Sequence, residues 1–477
     1  MSTINRVQVT WIRALSIALF ALVMIIPLDA FAAGEVEVST FKIYVCMGIL
    51  AMAAVLFLTE AIPLAMTSLM VPVLLIAFNV LDAKAAFAGF SNPLVLLFLM
   101  MFIVGDAMFR VGIADKIGRA ILNLARGSEN LLIVYIMVVG GIMSAFLSNT
   151  GTAACLLPIV LAVAKSQKIS PRKLLIPLAF GVSLGGMNTL IGTPPNGIVA
   201  DAFEKATGEQ FGVLDYAKPS FLVMVVGIVY MMTIGKKLLA GVVDRSGTGN
   251  SITTSDLPDQ EYRRDKAWIV VIAFVSIIFF MIMDPLWERI FPANVAVQEY
   301  FKHIPLVTYA IVGVVVIVST RTLLPKEVYE AVDWTTIFLF AGMLSMSSAL
   351  QASGAAKYIG DTIVAVTGGS PYGALIGIII ITIAATNCMS NTATTALFAP
   401  ISVSISMNLN VNPATLLMGV GLSASACFLT PVATPPNTLV LGPGGYRFID
   451  YIKAGALLQI IVGLILIFTI PLFFPFR

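Results

Sequence analysis

Two copies of one polar tripeptide are the residues of this chain best suited to chemistry. Ser148, Asn149 and Thr150 return 242 residues later as Ser390, Asn391 and Thr392. The register holds around them: Gly112 pairs with Gly354, Gly118 with Gly360, Ser144 with the hydroxyl residue Thr386, and Pro158 with Pro400. A second motif repeats at an offset of 241, GTPPN at Gly192 to Asn196 against ATPPN at Ala433 to Asn437. Hydroxyl and amide oxygens with backbone carbonyls make a hard oxygen shell, suited to an alkali cation, whereas a soft transition metal would call for Cys or His. Helix N-termini bearing Asn and Thr suit a carboxylate or a similar oxyanion. No Arg or Lys stands in the motifs to meet such an anion, so a bound cation would supply the compensating charge. Cation and anion are expected to bind together.

Each motif alone has a plainer reading. A lone Ser-Asn-Thr is usually a helix cap or a packing pair of hydroxyls, and a lone Pro-Pro a turn or a kink. Their paired recurrence in one register favours the functional reading. Asp106 is the most deeply placed carboxylate and a candidate proton carrier, but Arg110 stands four residues on and is expected to pair with it. Glu60, at a tight turn before Pro63, reads as capping or packing. The single histidine, His303, falls in an external loop, the methionines of the spans read as packing, and the four cysteines (Cys46, Cys155, Cys388, Cys427) as small buried residues.

The elements that must position these motifs are membrane spans. The 477 residues are 59% hydrophobic and 11% charged, far from soluble averages and typical of polytopic membrane proteins. A net charge of +3, dispersed among short loops, gives no reason to expect nucleic acid. Apolar windows near the ~20 residues that cross a bilayer predict spans at 12–32, 42–59, 62–80 and 93–110. Arg6, Arg13, the apolar run 14–28 and small residues at 30–32 resemble a secretory signal, and the segment 1–41 is read as a retained first span with its external loop. An amphipathic stretch at 112–126 suits the interface. Segment 131–164 is flanked on both sides by basic residues and is predicted to be a re-entrant hairpin with the tripeptide at its tip, a geometry confined to buried or cavity-lining backbone.

Segment 174–203 is read as a helix broken at Pro194 and Pro195, followed by a span at 219–235 and a polar linker at 241–266. The first repeat is thus 42–240. The second, 267–477, repeats the order: spans at 267–283, 305–319 and 334–350, an interfacial stretch at 354–366, a hairpin at 371–407, a broken helix at 412–442 and a last span at 452–474. The expected fold is an all-α membrane protein of eleven transmembrane helices, two inverted five-helix repeats after a first helix, with two hairpins and two broken helices. With the N-terminus in the cytoplasm, 20 of the 28 Lys and Arg residues fall inside, as the positive-inside rule requires. Five spans per repeat make the halves face opposite ways, the arrangement in which secondary transporters build midplane sites.

The paired SNT motifs, TEAIP at Thr59 to Pro63 and the two TPPN segments resemble the divalent anion sodium symporter family of di- and tricarboxylate transporters, over nearly the whole chain. The resemblance implies one sodium ion held by Ser144, Ser148, Asn149 and Gly192 and a second by Thr386, Ser390, Asn391 and Ala433. It implies substrate carboxylates at Asn149, Thr150, Thr193, Asn391, Thr392 and Thr434. It also implies a homodimer in the inner or plasma membrane, with an elevator motion that couples sodium entry to uptake of a C4 dicarboxylate such as succinate, malate or fumarate. A sodium-independent dicarboxylate, citrate or tartrate exchanger and a sulfate symporter are the alternatives within transport. An intramembrane enzyme would need a nucleophile with a base, or paired acids, and the hairpins offer neither His nor carboxylate. A channel would lack saturable, substrate-specific flux.

Overall fold

The computed structural model describes residues 38–113, 116, 128–167, 169–240, 262–283, 304–431 and 433–477. The expected span at 12–32, the remainder of the stretch at 112–126, most of the linker and His303 lie outside the described residues. Among the described residues every regular element is helical. Eight helices are long and apolar enough to cross a membrane, so the chain is a multi-pass membrane protein.

The order begins with α1 (Val38–Thr59), α2 (Leu64–Ala77), the short α3 (Ala83–Phe87) and α4 (Pro93–Arg110). The turn between α1 and α2 places Glu60 at φ +47°, exposed to its surroundings. A paired-helix hairpin follows, α5 (Glu129–Phe146) and α6 (Asn149–Ser166), then α7 (Arg172–Gly186) and α8 (Pro194–Thr207). Helix α9 (Ala217–Tyr230) continues through a π turn at Met231–Gly235 to Ala240. The second half holds α10 (Ala267–Met283), α11 (Leu306–Ser319), α12 (Pro325–Ala331), α13 (Trp334–Ser353) and α14 (Ala355–Thr367). It ends with the hairpin α15 (Pro371–Thr386) and α16 (Asn391–Asn408), then α17 (Pro413–Ser425), α18 (Pro435–Leu441) and α19 (Phe448–Phe473).

The hairpins start and turn by one chemistry. Ser128 Oγ accepts from the Leu131 amide at 3.4 Å and Ser370 Oγ from the Gly373 amide at 3.2 Å, both capping the first helix. At the tips, Ser148 Oγ accepts from Gly151 N at 3.1 Å and Ser390 Oγ from Ala393 N at 3.2 Å, capping the second. These side-chain acceptors satisfy amides that a helix start leaves open. The tripeptide serines are therefore helix N-caps.

The prolines act differently from the expectation. The breaks fall at Met187–Thr193 and at 426–434, and the Pro pairs open the helices that follow, at their first two positions. There the missing N–H costs nothing and the fixed φ is already helical. Helix α12, which the apolar pattern did not predict, starts with the same device, a proline at its first turn.

Packing then crosses the repeats. Hairpin α5–α6 lies on α7, and α15–α16 lies on α17, but α8 packs against α16 and α17 while α18 packs against α6 and α7. Each broken helix thus sends its second half into the other repeat. Close approach between α5 and α7 needs glycine, since a Cβ on Gly185 would sit 2.1 Å from the Gly141 Cα. The crossing draws both tips to one place.

Candidate functional site

A cavity of about 210 Å³ sits between the two tips. Ten of the twelve site residues expected from the motifs line it: Ser148, Asn149, Thr150, Gly192, Thr193, Ser390, Asn391, Thr392, Ala433 and Thr434. The other two stand directly behind. Ser144 and Thr386 are fully buried, Ser144 Oγ donating to Asn149 Oδ1 and Thr386 Oγ1 to Asn391 Oδ1 at 2.9 Å. The opposite wall belongs to α2, α4 and α13, through residues such as Leu64, Phe98, Phe102, Asp333 and Thr336.

Positive charge in this cavity comes from the backbone. Ser148, Thr193, Ser390 and Thr434 are the N-cap residues of α6, α8, α16 and α18, and all four line the cavity. All four helices point partial positive charge at one volume; α6 and α16 add free amides, whereas the proline pairs that open α8 and α18 carry none at their first two positions. No Lys or Arg is among the lining residues, and one carboxylate is, that of Asp333. Asp333 is itself an N-cap, its Oδ1 accepting from Thr336 N at 3.2 Å and its Oδ2 from the Thr336 hydroxyl at 2.6 Å.

Oxygens crowd the first tip. A Cβ placed on Gly192 would lie 2.5 Å from Gly186 O and 3.0 Å from Ala145 O, and one on Gly186 would lie 2.3 Å from Asn149 Oδ1. Carbonyls and an amide oxygen thus converge where a side chain would displace them, a donor set that fits a hard cation. In the second repeat Ala433 keeps its methyl in a buried position, and Cys427, 241 residues after Gly186, is buried with its thiol on Ser425 O at 3.8 Å.

A duplicated bond set supports the tips. Thr189 Oγ1 donates to Ala145 O, and Thr430 Oγ1 donates to Asn387 O at 3.1 Å. The same hydroxyls accept from Gly192 N at 3.1 Å and Ala433 N at 3.3 Å. Asn196 Nδ2 donates to Met187 O and Thr189 O, Asn437 Nδ2 to Cys427 O and Thr430 O. Tyr216 OH closes the first set on Asn196 O at 2.8 Å, and Tyr451 OH the second on Asn437 O at 2.6 Å. None of the four Thr and Tyr residues was singled out from the sequence, although signals existed. The repeat extends back to Thr189 and Thr430, and Asp215-Tyr216-Ala217-Lys218 returns as Asp450-Tyr451-Ile452-Lys453 at an offset of 235.

Residues expected elsewhere are found elsewhere. Asp106 pairs with Arg110 at 2.5 Å, Arg110 reaches Glu327 at 3.0 Å, and Glu327 also holds Arg263 at 2.6 Å. None of these lines the cavity. Cys46 and Cys427 are buried, Cys155 partly so, but Cys388 is exposed beside the second tip, so the expectation of burial fails there. The loop between α15 and α16 turns its side chain outward.

Two capped tips facing one cavity inside a multi-pass helical bundle suit the passage of a small solute across a membrane. The sequence goes further. The chain matches the family model described as citrate transporter over residues 54–413 and 357–477, and it belongs to that family. It is 30% identical over 429 residues to an uncharacterized transporter of Haemophilus influenzae, covering 87% of this chain and 88% of that one. It is 27% identical over 438 residues to the sodium-dependent dicarboxylate transporter SdcS of Staphylococcus saprophyticus, covering 87% and 84%. Among solved structures, the YdaH transporter of Alcanivorax borkumensis aligns with a TM-score of 0.58 at 14% identity, covering 89% of this chain and 99% of that one, a likeness of fold alone.

Proposed function

We propose that the chain is a sodium-coupled carrier of a small dicarboxylate, taking up a C4 diacid such as succinate, malate or fumarate. The observation that carries this reading is the convergence of four helix N-termini and both asparagines on one cavity without a cationic side chain. Two carboxylates brought there need counter-charge beyond helix dipoles, and two sodium ions would supply it. One would lie by Ser144, Ser148, Asn149 and Gly192, the other by Thr386, Ser390, Asn391 and Ala433. The anion would meet Asn149, Thr150, Thr193, Asn391, Thr392 and Thr434. The relationship to the sodium-dependent dicarboxylate transporter of Staphylococcus supports both halves of the proposal. The Asp333 carboxylate in the wall disfavours a third negative charge on the substrate, which argues for dicarboxylate over citrate.

The reading extends to motion. The hairpins, the broken helices, α9 and α19 would slide as one body past α1–α4 and α10–α13, carrying the tips across the membrane. The chain would work as a homodimer in the inner or plasma membrane, with its N-terminus in the cytoplasm and its hairpins re-entrant from opposite faces. Purified protein in liposomes should take up labelled succinate with an inward sodium gradient and fail with choline. The Asn149→Ala and Asn391→Ala variants should each lose uptake. Equal uptake in choline, accelerated by internal unlabelled diacid, would establish exchange and overturn symport.

A further inference from the structure

The two tips share one bond set and differ in what stands behind it. At the second tip, Asn387 Oδ1 accepts from Leu429 N at 3.0 Å, and its Nδ2 donates to Ile383 O at 2.8 Å on its own helix and also faces Gln459 Oε1 at 3.4 Å. Gln459 Oε1 also accepts from Phe428 N at 3.2 Å, while its Nε2 donates to Ala426 O at 2.7 Å. Both amides are buried, Gln459 at 5% and Asn387 at 6% exposure. Thr386 Oγ1 adds a contact of 2.5 Å to Ala424 O. The hairpin is thereby sewn through side chains to the loop at 426–430, and that loop to α19.

In the first repeat the corresponding residues cannot do this. Ala145 stands 242 residues before Asn387, and Met224 stands 235 before Gln459, the offset of the Asp-Tyr-x-Lys motifs. Alanine has no donor or acceptor in its side chain, and a thioether is a weak acceptor with no donor. The amide nearest this place, Asn188, donates to Leu184 O and Gly185 O and accepts from Ser220 Oγ, so it ties the loop to α7 and α9 and not to the hairpin. Its remaining neighbour is the Met224 sulfur at 3.7 Å. The first tip is held from the broken helix by the Thr189 hydroxyl on Ala145 O.

We infer that Gln459 is a positioning residue that pre-orders the second tip before any ion arrives, so that the first tip is the one an arriving cation must organise. This rests on the sodium reading above. Buried, fully satisfied polar networks rigidify their surroundings, whereas a tip with fewer ties opens locally more often. The cation at the second tip would bind to a formed site, and the cation at the first would bear the cost of ordering it.

Hydrogen exchange of the full-length protein, in choline and then in sodium, tests this. In choline, amides at 143–152 should exchange about tenfold faster than those at 385–394, and sodium should slow the first group more. Gln459→Met, which conserves volume and installs the residue of the first repeat, should raise exchange at 385–394 towards the level at 143–152. It should also raise the half-saturating sodium concentration for uptake about threefold to tenfold, leaving the diacid KM at saturating sodium within about twofold. Asn387→Ala cuts the same bridge from the other end and should reproduce both effects. Equal exchange at the two tips in choline, or unchanged exchange at 385–394 in both variants, overturns the inference. The choline comparison needs no transport, so sodium-independent uptake by the wild type would overturn the proposed function while the exchange result still decided this one.

Discussion

The centre of the molecule and its charged fasteners solve opposite problems. At the centre, two asparagines and four helix caps face one another, with the Asp333 carboxylate as the one charged side chain among the lining residues. Away from it, charges are locked in pairs: Arg172 with Asp450 at 2.5 Å, both almost wholly buried, and Arg110 with Asp106, Glu327 and Glu330. A fixed ion pair holds one geometry strongly and resists change. Under the proposed function, neutral oxygens and helix ends would hold an ion or an anion only when both are present. Paired permanent charge thus stands in the packing away from the cavity, and on the proposed reading the ligands would bring the positive charge that the cavity lacks.

The sharpest way to break that contrast is to place a charge at the centre. Asn391→Asp is isosteric and keeps the acceptor that the Thr386 hydroxyl uses. A carboxylate about 4 Å from a bound diacid costs about 4 kcal/mol at an effective dielectric of 20. Uptake should fall about 1,000-fold, while the thermal shift produced by sodium alone should persist or grow. Retained uptake would mean that the anion binds away from Asn391.

The opposite operation removes a charge from a fastener. Arg172 Nη1 donates to Gly445 O at 2.8 Å, its Nη2 to Asp450, and its guanidinium lies 5.2 Å from the centre of the Tyr446 ring. Arg172→Met leaves Asp450 buried and unpaired, which should destabilise the protein by about 3–5 kcal/mol. Adding Asp450→Asn should recover much of that loss. Thermal unfolding in detergent reads both, and equal melting of wild type and single variant would show the pair to be solvated.

How much of this was legible in the sequence depends on register. The tips were, because Ser-Asn-Thr and its neighbours repeat at a constant 242, and the helix ends around them fall within two residues of the hairpin bounds 131–164. The Tyr216 and Tyr451 braces were not, because the offset slips from 241 to 235 between the TPPN motifs and the Asp-Tyr pairs. A search that holds one register loses them there. The prolines were found but misassigned, since a missing amide marks a helix start as readily as a break. Asn387 and Gln459 were invisible as a pair because repeat comparison finds what the halves share, and these are what they do not. The crossing of α8 and α18 into the opposite repeat has no local signal, being a property of long-range packing.

The braces give a smaller and paired prediction. Tyr216→Phe and Tyr451→Phe each remove one buried hydrogen bond to an Asn carbonyl, at 2.8 and 2.6 Å, and should cost about 1 kcal/mol apiece. If the repeats are equivalent at this level, the two losses in melting temperature should agree, and the double variant should show their sum because the sites are separate. A loss in one alone would mark that repeat as the more strained.

The smallest expected effect belongs to the exposed end of the charged set. Glu327 accepts from Arg263 at 2.6 and 2.8 Å, from the Leu324 amide at 2.7 Å and from Arg110 at 3.0 Å. Led by the Arg263 hydrogen bonds, these hold its carboxyl below the ordinary 4.5 despite the opposing effect of burial. A carboxyl depressed in the folded state contributes stability that is complete above its unfolded value and is lost as pH falls through the folded one. The melting temperature should therefore decline as pH drops below about 4.5, and Glu327→Gln should flatten that decline. At neutral pH the same variant should lose about 1 kcal/mol or less, since partly exposed ion pairs are screened. Succinate uptake should stay within about twofold of wild type, because the cluster lies outside the cavity; a larger loss would mean that this fastener opens during transport and does not hold still.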